Sequence, residues 1–281
     1  MESKPRVIVI TGANKGLGFE LAKRLLKNPS KPTVIVTSRN ETLGEEAVKE
    51  LTKLFPASKD SVHYHALDIT KKETYGPFLD WIKEKFGQVD VLVNNAGIVG
   101  DGEYDPDYKV YYSDALKVMG TNFLNTKEFT EYILPSLATD GKIISISSSF
   151  GTEDEPIQAL YKKLSDPNFK AKEFEEYCQA YFETVKKQNF EEAGMSPSAY
   201  KTSKALLAGW THNVLKEKLT GDQQAFTVDP GWCKTDMGTK NAPLEAEEGT
   251  LTTEYLIDLP YKANKETNGK FFKDCKMLEL I

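Results

Sequence analysis

Thr11-Gly12-Ala13-Asn14-Lys15-Gly16-Leu17-Gly18 closes a short β-branched run at residues 7–11 and leads into Phe19-Glu20-Leu21-Ala22-Lys23, a helical stretch. A strand, a glycine-rich turn and a helix in that order bring free backbone N–H groups and the positive end of a helix dipole to one point, where they favour an anion such as a pyrophosphate. Gly12, Gly16 and Gly18 make the turn and let the backbone approach; Asn14, Lys15 and Leu17 complete it. The turn predicts that the chain opens with the phosphate-binding unit of a dinucleotide fold.

The rest of the chain agrees. Further β-branched runs at 33–38, 62–66, 89–94, 142–147 and 224–228 alternate with amphipathic helical stretches, the pattern of a parallel sheet covered on both faces. The predicted fold is α/β, a Rossmann-type doubly wound parallel sheet, which binds ligands outside the carboxyl ends of its strands. Between the second and third runs, Leu43, Ala47, Leu51, Leu54 and Phe55 form one helical stripe, with Thr42 and Glu45 as a capping box before it. Residues 152–196 break the alternation. They carry no strand signal, and Ile157, Leu160, Tyr161 and Leu164, then Phe174, Cys178, Tyr181 and Val185, repeat at helical spacing, so a helical insertion is predicted there. Ser196 and Pro197 read as N-cap and first position of the helix that follows. With no internal repeat or flexible linker, residues 1–281 are expected to form one domain.

Composition excludes several classes. A chain of 281 residues, 40% apolar, can bury a large core. With 36 basic against 42 acidic residues its net charge is −6, the wrong sign for a nucleic-acid partner. Cys178, Cys233 and Cys275 are far apart in sequence, which suggests neither disulfides nor a thiolate metal site and fits a reducing, cytoplasmic location. The polar residues 1–6 resemble no signal or transit sequence, and no apolar run is long enough to span a bilayer, so no membrane partner is expected. Asn40-Glu41-Thr42 matches a glycosylation sequon but reads as a turn and helix cap. His63, His65 and His212 lack ligand spacing, and no metal is expected.

Each strand end carries a candidate. The second ends Thr37-Ser38-Arg39, with no carboxylate to hold an adenosine ribose; Arg39 and Lys15 could together hold a 2'-phosphate. A charge-assisted hydrogen bond contributes about 1.5–3 kcal/mol, so one such bond implies at least roughly tenfold preference for NADPH. After the third, Asp68, followed by Ile69, is either an acceptor for the adenine amino group or a helix cap. The fourth ends Asn94-Asn95-Ala96-Gly97, small and polar where a dinucleotide must cross the sheet edge. The fifth ends Ser145-Ile146-Ser147-Ser148-Ser149-Phe150-Gly151, offering hydroxyls that can orient a substrate carbonyl. Tyr200 and Lys204 stand four residues apart, on one helical face, and a nearby ammonium favours phenolate, so the tyrosine can act as acid or base.

With these motifs in order, followed by Pro230-Gly231-Trp232-Cys233-Lys234-Thr235, the chain resembles a short-chain dehydrogenase/reductase from about residue 7 to residue 237. The resemblance implies that Asn122, Ser148, Tyr200 and Lys204 are catalytic, Tyr200 as proton donor. Ser147 and Ser149 flank the serine position; counting back from Gly151 favours Ser148. It also implies NADPH/NADP as cofactor, bound by the glycine turn, Arg39, Asp68, Ile69, Asn95, Ala96, Gly97, Tyr200, Lys204, Pro230, Gly231, Trp232 and Thr235. Asn122 would fix a water that connects Lys204 to solvent. The family usually has a dozen or so residues between its serine and tyrosine, whereas here the interval runs from 148 to 200. That insertion, with Asn14-Lys15 and Pro-Gly-Trp, is similar to the monomeric carbonyl reductases, in which it covers the helix surface used for tetramerisation elsewhere. Reduction of a small aldehyde, ketone or quinone by a monomer is therefore expected. Alcohol oxidation with NADP, or NADPH sensing without turnover, is the alternative; the intact Tyr200, Lys204, Ser148 and Asn122 argue against a sensor. Specificity is expected from 97–107, part of the insertion, and 232–248, where Trp232 and Met237 could form an apolar wall.

Overall fold

Every residue of β1 (Val7–Ile10) is buried, yet alternate side chains enter different cores: Val7 and Val9 join one apolar cluster, Ile8 and Ile10 the other. The period-two geometry of a strand requires this when both sheet faces are covered. β2 (Thr33–Ser38), β4 (Val89–Asn94), β5 (Leu137–Ile146) and β6 (Gln224–Asp229) divide in the same way, with Ile35, Leu92, Ile143 and Ala225 on one face and Val34, Val91, Ile144 and Phe226 on the other. These elements come from a computed structural model that describes residues 4–103, 110–260 and 265–279.

With β3 (Val62–Ala66), β7 (Phe271–Lys273) and β8 (Lys276–Leu278), the strands form one eight-stranded sheet of order β3-β2-β1-β4-β5-β6-β7-β8. All pairs are parallel except β7 with β8. One face carries α1 (Gly16–Lys27), α2 (Glu41–Leu54) and α11 (Leu251–Asp258). The other carries α3 (Tyr75–Lys85), α4 (Tyr112–Met119), α5 (Asn125–Ile133) and α9 (Ala199–Trp210), which is followed by the short α10 (Lys216–Lys218). The expected doubly wound α/β fold is the one observed. Among the described residues, no helix is long and apolar enough to cross a membrane.

Three helices occupy the predicted insertion: α6 (Glu155–Leu164), α7 (Ala171–Lys187) and the short α8 (Phe190–Ala193). Both stripes read from the sequence are buried. α6 packs on α9, where the Leu164 side chain lies over Gly209 so closely that a Cβ there would meet it at 2.5 Å, and α7 packs on α4 and α9.

Several boundaries differ from the sequence reading. α2 is capped by Asn40, whose Oδ1 accepts from Leu43 N at 3.0 Å, so Thr42 lies inside the first turn rather than at the cap. Its buried stripe is Gly44, Ala47 and Leu51, while Leu43 and Leu54 are about half exposed, because the small Gly44 lets the helix settle on Tyr64 of β3. α9 is capped by Ser198, not Ser196: Ser196 Oγ accepts from Ser198 N in a preceding turn, and Ser198 Oγ accepts from Lys201 N at 3.0 Å. β5 begins five residues before the predicted run, and the hairpin β7–β8 is a three-residue pair with no alternation long enough to read.

On the α11 face, the β5 residue Lys142 is buried, and its Nζ donates to the carbonyls of Leu256 (2.8 Å), Ile257 (2.7 Å) and Leu259 (2.6 Å). These belong to the C-terminal end of α11, where carbonyls have no partner within the helix. Burial draws Lys142 down to about 8, so at neutral pH it keeps all three protons for the three acceptors. Replacing Lys142 by Met should therefore destabilise the fold by about 3 kcal/mol, read as a lower urea midpoint with unchanged slope.

Candidate active site

The strand order reverses between β1 and β4, and there the glycine turn lies against the asparagine strand end. Thr11 Oγ1 accepts from the backbone N–H groups of Asn95 and Ala96, both at 3.0 Å, while Asn95 Nδ2 donates to the carbonyls of Thr11 (2.8 Å) and Gly12 (3.1 Å). Gly12 is in the left-handed region (φ 62°), and a Cβ on it would stand 3.0 Å from Ala96 Cα. On Gly18 a Cβ would meet Asn95 Nδ2 at 2.5 Å and Ala13 Cα at 2.8 Å. These glycines are needed by close approach of backbone to backbone, and together they leave the N-terminus of α1 lining the strand ends. Lys15 supplies that helix with no side-chain cap, and no acid stands in its first turn, as an anion site requires.

The other cofactor candidates surround this turn unequally. Thr235 lies beside Gly16, its Cγ2 at 3.6 Å from the Cβ position, and its Oγ1 accepts from Gly238 N at 3.0 Å. Pro230 follows β6 directly; Gly231 (φ 78°) donates its N–H to Asp229 Oδ1 at 2.8 Å. Trp232 Nε1 donates to Gly238 O at 2.6 Å while about half the residue stays exposed. Met237 is partly buried in the same turn. Arg39 is exposed and enters no ion pair among the described residues, whereas Lys15 Nζ is paired with Asp236 at 2.6 Å. Asp68 Oδ1 accepts from Thr70 N (3.0 Å) and Thr70 Oγ1 (2.7 Å), closing a turn ahead of α3. Ile69 is buried, and its carbonyl accepts from Tyr75 OH at 2.5 Å. Asn94 serves the core, donating to Thr130 Oγ1 and Ser145 Oγ.

Of the expected catalytic residues, Tyr200 is the second residue of α9, and Lys204 Nζ stands 5.7 Å from its ring centroid. Lys204 is 5% exposed, and its ammonium donates to Ile146 O at 2.7 Å. Burial draws it down to about 8, against the raising influence of the Asp229 charge. The three candidate serines separate cleanly. Ser147 Oγ donates to Lys204 O at 2.8 Å, and Ser149 Oγ donates to Asp229. Among the described residues, Ser148, partly exposed, uses its oxygen only to accept from Phe150 N at 3.0 Å. Asn122 occupies a single π turn, Gly120–Leu124, between α4 and α5. Its Oδ1 accepts from Ile98 N (2.8 Å), and its Nδ2 donates to Ile98 O (2.8 Å) and Ser203 Oγ (3.1 Å). A Cβ on Gly97 would stand 3.3 Å from Asn122 Oδ1 and 3.5 Å from Lys204 Nζ, so both groups border the same small space.

This arrangement has known relatives. The sequence pattern of the short chain dehydrogenase family matches residues 6–162. The chain belongs to that short-chain dehydrogenase family. Carbonyl reductase [NADPH] 1 of Sus scrofa is 30% identical to it, over 99% of this chain and 96% of the relative. A (+)-neomenthol dehydrogenase of Arabidopsis thaliana is 31% identical, over 96% and 97%. Among solved structures, salutaridine reductase from Papaver somniferum superposes with a TM-score of 0.82 at 29% identity, covering 96% of this chain and all of that one. The resemblance drawn from the motifs is thereby borne out.

In this short-chain dehydrogenase, side chains that the motifs did not single out support the ones they did. Thr11 holds Asn95, Ser203 holds Asn122, and Asp229 lies behind the serine loop. Glu103 accepts from Ser198 Oγ at the start of α9, and burial pushes its carboxyl up. The spacing gave no signal for any of these, since each pairs residues far apart in sequence. Of the expected specificity segment 97–107, residues 104–107 lie outside the described residues. Replacing Thr11 by Val keeps the shape but removes the acceptor of Ala96 N–H and leaves Asn95 N–H to its second acceptor, Val93 O at 3.0 Å, which should cost about 2 kcal/mol of stability in urea unfolding.

Proposed function

We propose that the protein is an NADPH-dependent carbonyl reductase acting on a small aldehyde, ketone or quinone. The observation that carries this reading is the meeting of Lys204 Nζ and Asn122 Oδ1 at Gly97, one helical turn from Tyr200 and at the edge where the glycine turn ends. The name of the carbonyl reductase [NADPH] 1 aligned along nearly the whole chain supports the same cofactor and reaction. A dinucleotide fits this edge, because the backbone at Gly12 and Gly18 approaches closely enough to leave no room for a Cβ and keeps the α1 N-terminus uncovered.

Bound along that edge, NADPH would supply the hydride for the carbonyl carbon. Ser148 donates its free O–H to the carbonyl oxygen and orients it. Tyr200 gives its phenolic proton to that oxygen as negative charge develops. Lys204, fixed by Ile146 O, is the cation beside Tyr200 that makes loss of that proton easier. Asn122 ties the strand end at Ile98 to α9 through Ser203; the remaining lone pair of its Oδ1 is the one available for a water next to Lys204. Arg39, at the end of β2 and without an ion pair among the described residues, is the residue we assign to the 2'-phosphate, with Lys15 secondary because Asp236 competes for it. We further propose a monomer, since α7 covers part of α4, in the reducing cytosol that the scattered cysteines fit.

Oxidation of NADPH and NADH against a panel of aldehydes, quinones and ketones tests the whole reading. Turnover with NADPH and little with NADH is expected; tight NADPH binding without turnover across a broad panel would favour a sensor. Tyr200→Phe should keep NADPH binding and abolish reduction. Arg39→Ala should raise the KM for NADPH about tenfold and leave that for NADH unchanged. Because the ammonium of Lys204 is present below about pH 8 and lost above it, kcat/KM for reduction should fall as pH rises through that value.

A further inference from the structure

The C-terminal hairpin β7–β8 lies beyond the matched family pattern, yet it reaches the active site. Parallel pairing of β6 with β7 sets Lys273 directly opposite Asp229. Asp229 is 5% exposed and is the last residue of β6. Its Oδ2 accepts from Lys273 Nζ at 2.9 Å and from Ser149 Oγ; its Oδ1 accepts from Gly231 N at 2.8 Å. Lys273 Nζ also donates to Ser149 Oγ at 3.2 Å. One carboxylate thus joins the residue after Ser148, the turn after β6 and the last parallel strand. The next residue back on β6, Val228, is paired with Ile146, whose carbonyl holds Lys204, and Val228 O accepts from Ser147 N at 2.7 Å.

We propose that Asp229, held by Lys273 of the C-terminal hairpin, is a positioning residue of the reaction: its carboxylate fixes the serine loop to the Pro-Gly-Trp turn and supplies the buried negative charge behind Lys204. The inference rests on the role given to Lys204 under Proposed function. Burial alone would raise the Asp229 carboxyl, but the hydrogen bonds from Ser149, Lys273 and Gly231 outweigh it and hold the group below the usual carboxylate range. It stays ionised at neutral pH, and its charge opposes the effect of burial on Lys204. The other groups that feel it are Tyr161 of α6 and Cys233 of the following turn; burial and then this carboxylate push both upward, so both stay neutral. Lys273 is therefore the counter-ion of Asp229 on the hairpin side and Lys204 the cation on the α9 side.

The test follows Lys204 itself by 13Cε-lysine NMR, with Lys204→Met to assign its signal, alongside the pH profile of NADPH-dependent reduction. In Asp229→Asn, Lys204 should titrate roughly one pH unit lower, the alkaline limb of kcat/KM should move the same way, and kcat should fall about tenfold with little change in the KM for NADPH. The double variant Asp229→Asn/Lys273→Met, which strands no ammonium, should fold as wild type does and keep the Lys204 shift. An unchanged Lys204 titration in Asp229→Asn would overturn the inference, as would a shift that vanishes in the double variant, since Lys273 would then be its source. A Lys204 shift with no movement of the pH profile would leave the electrostatic link standing, remove Lys204 from the reaction, and so end the positioning role of Asp229.

Discussion

Between β1 and β4 the chain reverses its direction of travel across the sheet, and two strand ends must part there without leaving their backbone groups unpaired. Thr11 and Asn95 solve this jointly: one hydroxyl accepts two N–H groups of the neighbouring strand end, and one side-chain amide returns two hydrogen bonds to the glycine turn. Left unmatched, such groups would each cost free energy comparable to a lost hydrogen bond. The crevice at the topological switch point is thus a polar lattice, and its tightness is what excludes a Cβ at Gly12 and Gly18. The uncapped N-terminus of α1 at the strand ends and the position of Gly97 beside Lys204 both follow from this closure.

A second constraint is the burial of Lys204. An ammonium 5% exposed loses most of its hydration, and several kcal/mol must be offset by partners. The fold supplies one neutral acceptor, Ile146 O, and one charge at longer range, Asp229. The serine loop is divided to match. Ser147 turns inward to the α9 backbone and Ser149 toward Asp229, which leaves Ser148 partly exposed and, among the described residues, donating its proton to none. A residue that looked ambiguous among three identical neighbours is distinguished by what the other two are bonded to.

The insertion extends the same frame outward. α6 and α7 bury their stripes against α9 and α4, so the helix that carries Tyr200 and Lys204 is packed on both sides. Lys201 on α9 pairs with Asp154 at 2.5 Å ahead of α6 and lies over the exposed Phe150 ring, 4.5 Å from its centroid, tying the serine loop, the insertion and α9 together. The start of α9 is fixed from two directions, by Ser198 as its cap and by Glu103 bonded to that cap.

What the sequence determined alone is whatever depends on local spacing. The glycine turn, the alternation of strands and helices, the two insertion stripes and the four-residue step from Tyr200 to Lys204 are all properties of neighbours along the chain, and periodicity carries them. Cap positions at Asn40 and Ser198 escaped because several polar residues stood within reach and only backbone angles selected among them. Tertiary structure decided what depends on how distant elements meet: Thr11 with Asn95 where two strands end, Asn122 of the π turn with Ser203 of α9, and Lys273 opposite Asp229 in neighbouring strands. It also decided that Lys15 meets Asp236 while Arg39 enters no ion pair among the described residues. Such pairings leave no local pattern, because a hydrogen bond or ion pair between distant elements fixes the separation of its partners in space and places no condition on their separation in sequence.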